Sequence, residues 1–183
     1  MPQILRTFSR EVALSRKKGM PMVALQSTIL THGMRWPENV GIAARVGAEI
    51  RAAGAVPATM AVLQVRIHIG LSDSELNTPG QFIDLAKLSR ADLAACLVRG
   101  GNGATTVAAT MICTRPAGIT AFATGGIGGV HRGAETSFDF SADLQELPQT
   151  PVKVVAGRSC ARCAAFPVAS WLSTLSPRDR RRR

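Results

Sequence analysis

The sequence predicts an α/β layered domain, and three observations carry that prediction. An apolar run at Met22–Leu25, a helical stretch from Glu38 to Ala53 and a second apolar run at Ala58–Val62 follow one another closely, in the strand–helix–strand order of a βαβ unit. The 183 residues are 46% hydrophobic and 19% charged, which is enough to bury a core and argues against wholesale disorder. A further apolar run, Ile119–Ala123, empties into Thr124-Gly125-Gly126-Ile127-Gly128-Gly129, a third central strand followed by a glycine-rich loop.

Taken in order, Phe8 to Ser15 reads as an amphipathic first helix. Met22–Leu25 follows Pro21 as a short buried strand. Pro37 precedes the next helix, where Val40, Ala43, Ala44, Gly47 and Ile50 recur at helical spacing before Gly54 supplies a stop. Ser72 is a good N-cap for a short helix to Leu76. Phe82 to Leu88 suggests another strand, and Ala91–Val98 a helix ended by Gly100 and Gly101. Ala104–Thr114 is nearly all small or apolar, as in a helix buried on most sides and closed by Pro116. Val152–Val155 reads as a fourth strand, after which the periodicity fails.

The net charge of +10 would ordinarily point to a polyanionic partner. Its distribution argues otherwise: residues 1–150 hold 14 basic and 11 acidic side chains, whereas residues 151–183 hold 8 basic and 1 acidic. With 4% aromatic residues and no tyrosine the body offers few stacking platforms, and the terminal Arg180–Arg183 run gives only salt-sensitive attraction to nucleic acid. No apolar run reaches the roughly 18–20 residues of a membrane span, and Met1 to Lys18 lacks the apolar stretch of a secretory signal. Cys96 and Cys113 sit in apolar runs and read as free thiols of a reducing compartment. Cys160 and Cys163 form a lone CxxC without the second ligand pair of a zinc site.

The glycine stretch invites a phosphate, because glycine lets backbone N–H groups approach an anion closely. Its spacing is not GxGxxG, since His131 stands where the third glycine would fall, and no Gly-Lys-Ser/Thr occurs. An anion-binding loop and a tight structural turn both remain open, with His131 and Arg132 just beyond favouring a phosphate or carboxylate ligand. Glu135, Asp139 and Asp143 form an acidic cluster; with Ser141 they are either ligands converging on a hard cation or solvated surface acids. His32, just past the first central strand, reads as a hydrogen-bonded structural histidine. Lys87, beside a strand end, is either exposed or a point charge for a phosphate.

Several segments together resemble the pseudouridine-5′-phosphate glycosidase (indigoidine synthase A-like) family. They are Val23-Ala-Leu-Gln26-Ser-Thr-Ile-Leu-Thr-His32-Gly-Met, Gly54-Ala-Val-Pro57-Ala-Thr, Gly70-Leu-Ser, Lys87-Leu-Ser-Arg90-Ala-Asp92-Leu, Gly101-Asn-Gly-Ala-Thr-Thr-Val107-Ala, Phe122-Ala-Thr-Gly-Gly-Ile-Gly-Gly-Val-His-Arg-Gly-Ala134 and Ser141-Ala-Asp143-Leu-Gln-Glu-Leu. The resemblance runs in order from about Ser9 to Val155. It implies an α/β/α layered fold, a cytoplasmic homotrimer, and reversible cleavage of pseudouridine 5′-phosphate with water to uracil and ribose 5-phosphate. The same activity is also classed as that of a lyase. The broken bond is C–C, so paired-carboxylate glycosidase chemistry is insufficient. The family is understood to open the ribose and hold C1′ as a lysine imine, with a glutamate transferring protons and Mn2+ organising the site. Carried over by position, Asp139 matches the metal ligand, and Lys87, the Val107 backbone and Ser141, Ala142 and Asp143 match substrate contacts.

Two departures fall on the chemistry. Gln26 stands at the position of the proton-transfer glutamate, and an amide cannot shuttle a proton at neutral pH. Where the family reads Ala-Gly-Ala-Lys-Ser, this chain reads Ala156-Gly157-Arg158-Ser159, and a guanidinium that stays protonated is no nucleophile. Lys153, inside the strand, is poorly placed as a substitute. A lesser departure, Gln64-Val65, replaces a glycine-containing turn. Deleting one G from GCG GGG GCG AAG TCx yields codons for Ala-Gly-Arg-Ser, so a one-base frameshift near codon 156 accounts for the change. The expected organisation is residues 1–155 as the N-terminal part of such a domain, incomplete at its C-terminus, and 156–183 as a disordered Arg-rich tail. The expected outcome is an inactive or impaired glycosidase; the other reading is a non-catalytic sugar-phosphate-binding or regulatory remnant.

Overall fold

A computed structural model of the chain describes residues 5–76 and 85–157. Its described elements are β1 (Arg6–Phe8), α1 (Arg10–Lys18), β2 (Met22–Gln26), a π-type turn (Ile29–Gly33), α2 (Glu38–Ala52), β3 (Val56–Leu63), β4 (Arg66–Ile69), α3 (Asp73–Leu76), β5 (Ala86–Leu88), α4 (Arg90–Arg99), β6 (Gly103–Thr105), α5 (Val107–Ala117), β7 (Ala121–Thr124), α6 (Ala134–Ser137), α7 (Ala142–Glu146) and β8 (Lys153–Ala156). One mixed sheet runs β1-β4-β3-β2-β7-β8, with β5 and β6 joined to it through β3. Parallel pairing dominates: only β4 and β6 lie antiparallel to β3.

The β2–α2–β3 unit is the expected crossover, with Met22 opposite Val56 and Gln26 opposite Met60. Residues 58–63 of β3 are all buried. Successive strand side chains point to opposite faces, so both faces of the sheet are covered there. The main core cluster gathers Val12, Met60, Val62, Ile69, Leu93, Met111 and Phe122 from both sides of the chain's midpoint.

β3 outruns β2, and the sheet branches where β2 stops. Beyond the Gln26–Met60 pair, Ala61 and Val62 pair with Ala104 and Gly103 of β6. This overturns the expected helix start at Ala104: residues 103–105 are strand, and α5 begins only after Thr106, whose hydroxyl caps Ala109 N–H. Gly103 fits because a Cβ there would meet the Leu88 side chain at 2.4 Å. Helix α5 also passes through Pro116 and ends at Gly118 in the left-handed conformation. A proline in the last turn forfeits a single helix hydrogen bond, so it need not stop the helix at once.

The first helix begins later than periodicity suggested, because Arg6–Phe8 pairs with β4 and Ser9 is the N-cap. Strand β4 itself escaped the sequence pattern. It follows a hairpin turn in which Gln64 and Val65 both have positive φ, 49° and 65°, an unfavourable conformation for a β-branched residue. Asn102 Oδ1 accepts the Gln64 N–H at 2.8 Å and helps hold that turn. Of the strand expected at 82–88, residues 85–88 lie within the described residues, where Ala86–Leu88 is strand and Leu85 is not; Arg158, Cys160, Cys163 and the rest of the tail from 158 on lie outside them.

Candidate functional site

Three neighbouring parallel strands end together: β2 at Gln26, β7 at Thr124 and β8 at Ala156, after which Gly157 N–H donates to Thr124 O at 3.0 Å. Crevices beyond the carboxyl ends of parallel strands are the usual ligand sites of α/β sheets. Here the crevice holds a cavity of about 290 Å³ bounded by β2, α2 and the Thr124–Gly125 corner. Leu25, Ile29, Leu30, Ile42, Val46 and Ala123 make it largely apolar, Gln26, Thr59 and Thr124 are its polar members, and no charged side chain lines it among the described residues. Gln26 Oε1 is buried and has no hydrogen-bond partner among the described residues. An unpaired buried carbonyl costs about 1–3 kcal/mol unless a ligand or water donates to it.

The backbone behind Gln26 is held by hydroxyls. Ser27 Oγ accepts Thr105 N–H at 2.9 Å, Thr105 Oγ1 donates to Met60 O at 2.8 Å, and Thr110 Oγ1 lies 2.9 Å from Thr105 Oγ1. These three fully buried residues tie the ends of β2 and β6 to α5 exactly where the sheet branches. Sequence reasoning missed this network, because Ser27 and Thr105 are 78 residues apart and small hydroxyls in apolar runs carry no spacing signal.

The glycine-rich stretch is a tight loop clasped by the segment after it. Asp143 Oδ1 accepts Ala108 N–H, from the first turn of α5, at 2.9 Å, and Oδ2 accepts Gly128 N–H at 2.9 Å. Ser141 caps α7 by accepting Asp143 N–H, and its own N–H donates to Gly129 O. A Cβ on Gly128 would lie 2.2 Å from Ser141 Oγ and 3.0 Å from Asp143 Oδ2, so only glycine fits. Ala142 is the half-buried first residue of α7.

The acidic cluster does not converge. Glu135 is exposed on α6, Asp143 is committed to the backbone, and Asp139 is 62% exposed, with His131 Nδ1 3.8 Å from its carboxylate. Among the described residues no group of three or more His, Cys, Asp or Glu side chains is placed to hold a metal. Asp139 with His131 is a donor pair, sufficient only for a cation that keeps most of its water, as Mg2+ does.

Val107 opens α5 and is buried, whereas Lys87 is exposed on β5. His32 lies in the π-type turn with Nδ1 2.5 Å from Thr31 Oγ1, a local hydrogen bond that fits the structural reading. The unforeseen carboxylate is Glu146, 3% exposed at its side chain and bound by Arg90 and Thr150. Cys113 is buried and its thiol is pushed up to about 12, while burial and then Asp92 raise half-buried Cys96. No helix among the described residues is long and apolar enough to cross a membrane.

The profile of the indigoidine synthase A like protein family matches residues 11–160. The chain is 65% identical over 150 residues to a pseudouridine-5′-phosphate glycosidase of Jannaschia sp. (strain CCS1), covering 82% of this chain and 50% of that one. It is 60% identical over 148 residues to the glycosidase of that name from Roseobacter denitrificans, covering 81% and 48%. It thus spans about half the length of the curated relatives it matches. Among solved structures, the prealnumycin C-glycosynthase AlnA in complex with ribulose 5-phosphate superposes with a TM-score of 0.80 at 35% identity, over 95% of this chain and 56% of that one. An indigoidine synthase A-like protein from Thermotoga maritima gives a TM-score of 0.79 at 27% identity, over 94% and 56%.

Proposed function

The chain belongs to the indigoidine synthase A-like family, and from that premise we propose that it carries the sugar-phosphate site of a pseudouridine-5′-phosphate glycosidase with the proton-transfer and imine-forming groups replaced. The observation that carries this reading is Gln26, the polar side chain at the end of β2 whose buried oxygen has no partner among the described residues. Cleaving the C–C bond of pseudouridine 5′-phosphate requires a proton for the departing uracil carbon and an electron sink at C1′. The Gln26 amide can orient a donor on its Oε1 but delivers no proton. The imine lysine is absent, and Arg158, the nearest residue in sequence, offers no free electron pair for attack on C1′.

Binding is separable from these losses. The cavity's described lining residues carry no charge and suit the neutral part of a ligand. Lys87, Ser141 and the α5 start at Val107 are the groups proposed to meet the sugar phosphate. Asp139, with His131 beside it, would hold Mn2+, which when bound would supply a positive charge to polarise a substrate oxygen. Assembly as a homotrimer belongs to the same proposal and is read by sedimentation velocity.

The test is a turnover assay with pseudouridine 5′-phosphate and Mn2+, run beside calorimetry with ribose 5-phosphate. This chain is expected to bind ribose 5-phosphate without producing uracil. A chain carrying Gln26→Glu and the frame-restored sequence after Gly157 is expected to release uracil. Turnover by the unaltered chain would overturn the impairment, and absence of ribose 5-phosphate binding would overturn the site.

A further inference from the structure

We infer that Asp143 is a positioning residue, whose carboxylate fixes the glycine-rich loop against the N-terminus of α5 and so sets the shape of the ligand site. Helix α5 leaves its first-turn N–H groups without partners of its own. Thr106 takes that of Ala109, and Asp143 Oδ1 takes that of Ala108. The same carboxylate reaches the loop through Oδ2, which accepts Gly128 N–H at the same 2.9 Å. Asp143 is 9% exposed, so both contacts are shielded from competing water. Charge-assisted bonds to backbone N–H groups at a helix start are the strong kind.

The loop rests on this clasp with no slack. Gly128 has no room for a Cβ between Ser141 and Asp143, and Ser141 N–H closes the contact on Gly129 O. The anion niche that the α5 start and the loop form between them is therefore filled by the protein's own carboxylate. A sugar phosphate at this site meets a loop shaped by Asp143, and the side chain has no oxygen left uncommitted to a backbone donor.

The ligand arm of the test rests on the sugar-phosphate reading above; the amide arm does not. In Asp143→Asn one of the two N–H groups must face an amide NH2. Hydrogen exchange at Ala108 and Gly128, followed by NMR, is expected to speed up at least roughly tenfold. The affinity for ribose 5-phosphate is expected to fall with it. Gly128→Ala, which pushes the loop off Ser141 and Asp143 while keeping the carboxylate's charge, is expected to weaken ribose 5-phosphate binding in the same way, and it decides the matter if Asp143→Asn fails to fold. Weakened binding in Asp143→Asn with wild-type exchange at Ala108 and Gly128 would mean that Asp143 touches the ligand directly, which overturns the inference. Wild-type affinity in Gly128→Ala would overturn it as well. If the unaltered chain binds no ribose 5-phosphate, the functional reading fails while the exchange comparison still decides the clasp.

Discussion

Two neighbouring stretches treat their carboxylates in opposite ways. Between 131 and 139 the chain forms a small exposed excursion, closed by the Val130–Phe140 bridge, in which Asp139 and His131 are 62% and 69% exposed at their side chains. Between 141 and 150 it turns inward, and Asp143 and Glu146, one turn apart on α7, are both buried with named partners. A buried carboxylate survives only by satisfying its oxygens within the fold. Those of the second stretch are thus spent on architecture, whereas the first stretch leaves Glu135 and Asp139 exposed, and Asp139, beside His131, is the one proposed to meet a cation. Four measurements sharpen or break this contrast.

The largest effect on stability belongs to the buried pair. Arg90→Ala leaves Glu146 inside the protein with Thr150 as its remaining partner. Losing one member of a buried ion pair typically costs 3–5 kcal/mol; with Arg90 46% exposed the expected loss is about 2–3 kcal/mol by urea denaturation. An unchanged midpoint would place Glu146 in contact with solvent and dissolve the contrast.

Next comes the hydroxyl that does for β6 what Asp143 does for the loop. Ser27→Ala removes the acceptor of the buried Thr105 N–H, with an expected cost of about 1–2 kcal/mol. Hydrogen exchange at Thr105 is the specific readout. If that amide stays as protected as before, the strand junction at Gln26 is held by other bonds.

How much of this was legible in the sequence follows from the range of the forces involved. The β2–α2–β3 crossover, α4 and β7 were readable because periodicity and caps are local, and Gly54 and Gly100 sit at their helix ends. Ala104 and Thr105 were misread as helix because both are small enough for either state; what makes Gly103–Thr105 strand is pairing with Ala61 and Val62 of β3, more than 40 residues away. Strand β4 was missed because Gln64-Val65 lacks the glycine that normally announces such a turn. At the site, motif resemblance drew attention to Gln26, Asp139 and Asp143 alike. Only the fold separates the unpaired amide, the exposed acid and the clasp.

An exposed ion pair supplies the control for Arg90. Arg51 holds Glu11 through two bonds of 2.9 and 2.8 Å, and the hydrogen bond to Arg51 lowers the Glu11 carboxyl below its ordinary 4.5 despite some desolvation. Both side chains are about 40% exposed, so screening limits Glu11→Gln to less than about 1 kcal/mol at pH 7. The folded value is the depressed one, so the contribution is full above the ordinary carboxyl range. It is lost as pH falls through the folded value, where variant and parent should converge. A deficit that persisted in acid would have to come from packing of the Glu11 stem.

The smallest effect on stability is expected at Asp139, and there the functional half of the contrast is decided. Asp139→Asn removes a charge whose nearest partner is an imidazole at 3.8 Å, so unfolding should move by no more than about 0.5 kcal/mol. Free Mn2+ measured by EPR should nonetheless rise when this variant replaces the parent chain, because the amide is a much poorer ligand for a hard cation than the carboxylate. Arg90→Ala, destabilised but with Asp139 intact, should take up Mn2+ as the parent does. If Asp139→Asn binds Mn2+ with parental affinity, Asp139 belongs to the solvent and the cation is held elsewhere; Asp143 is no substitute, since both its oxygens accept backbone N–H groups.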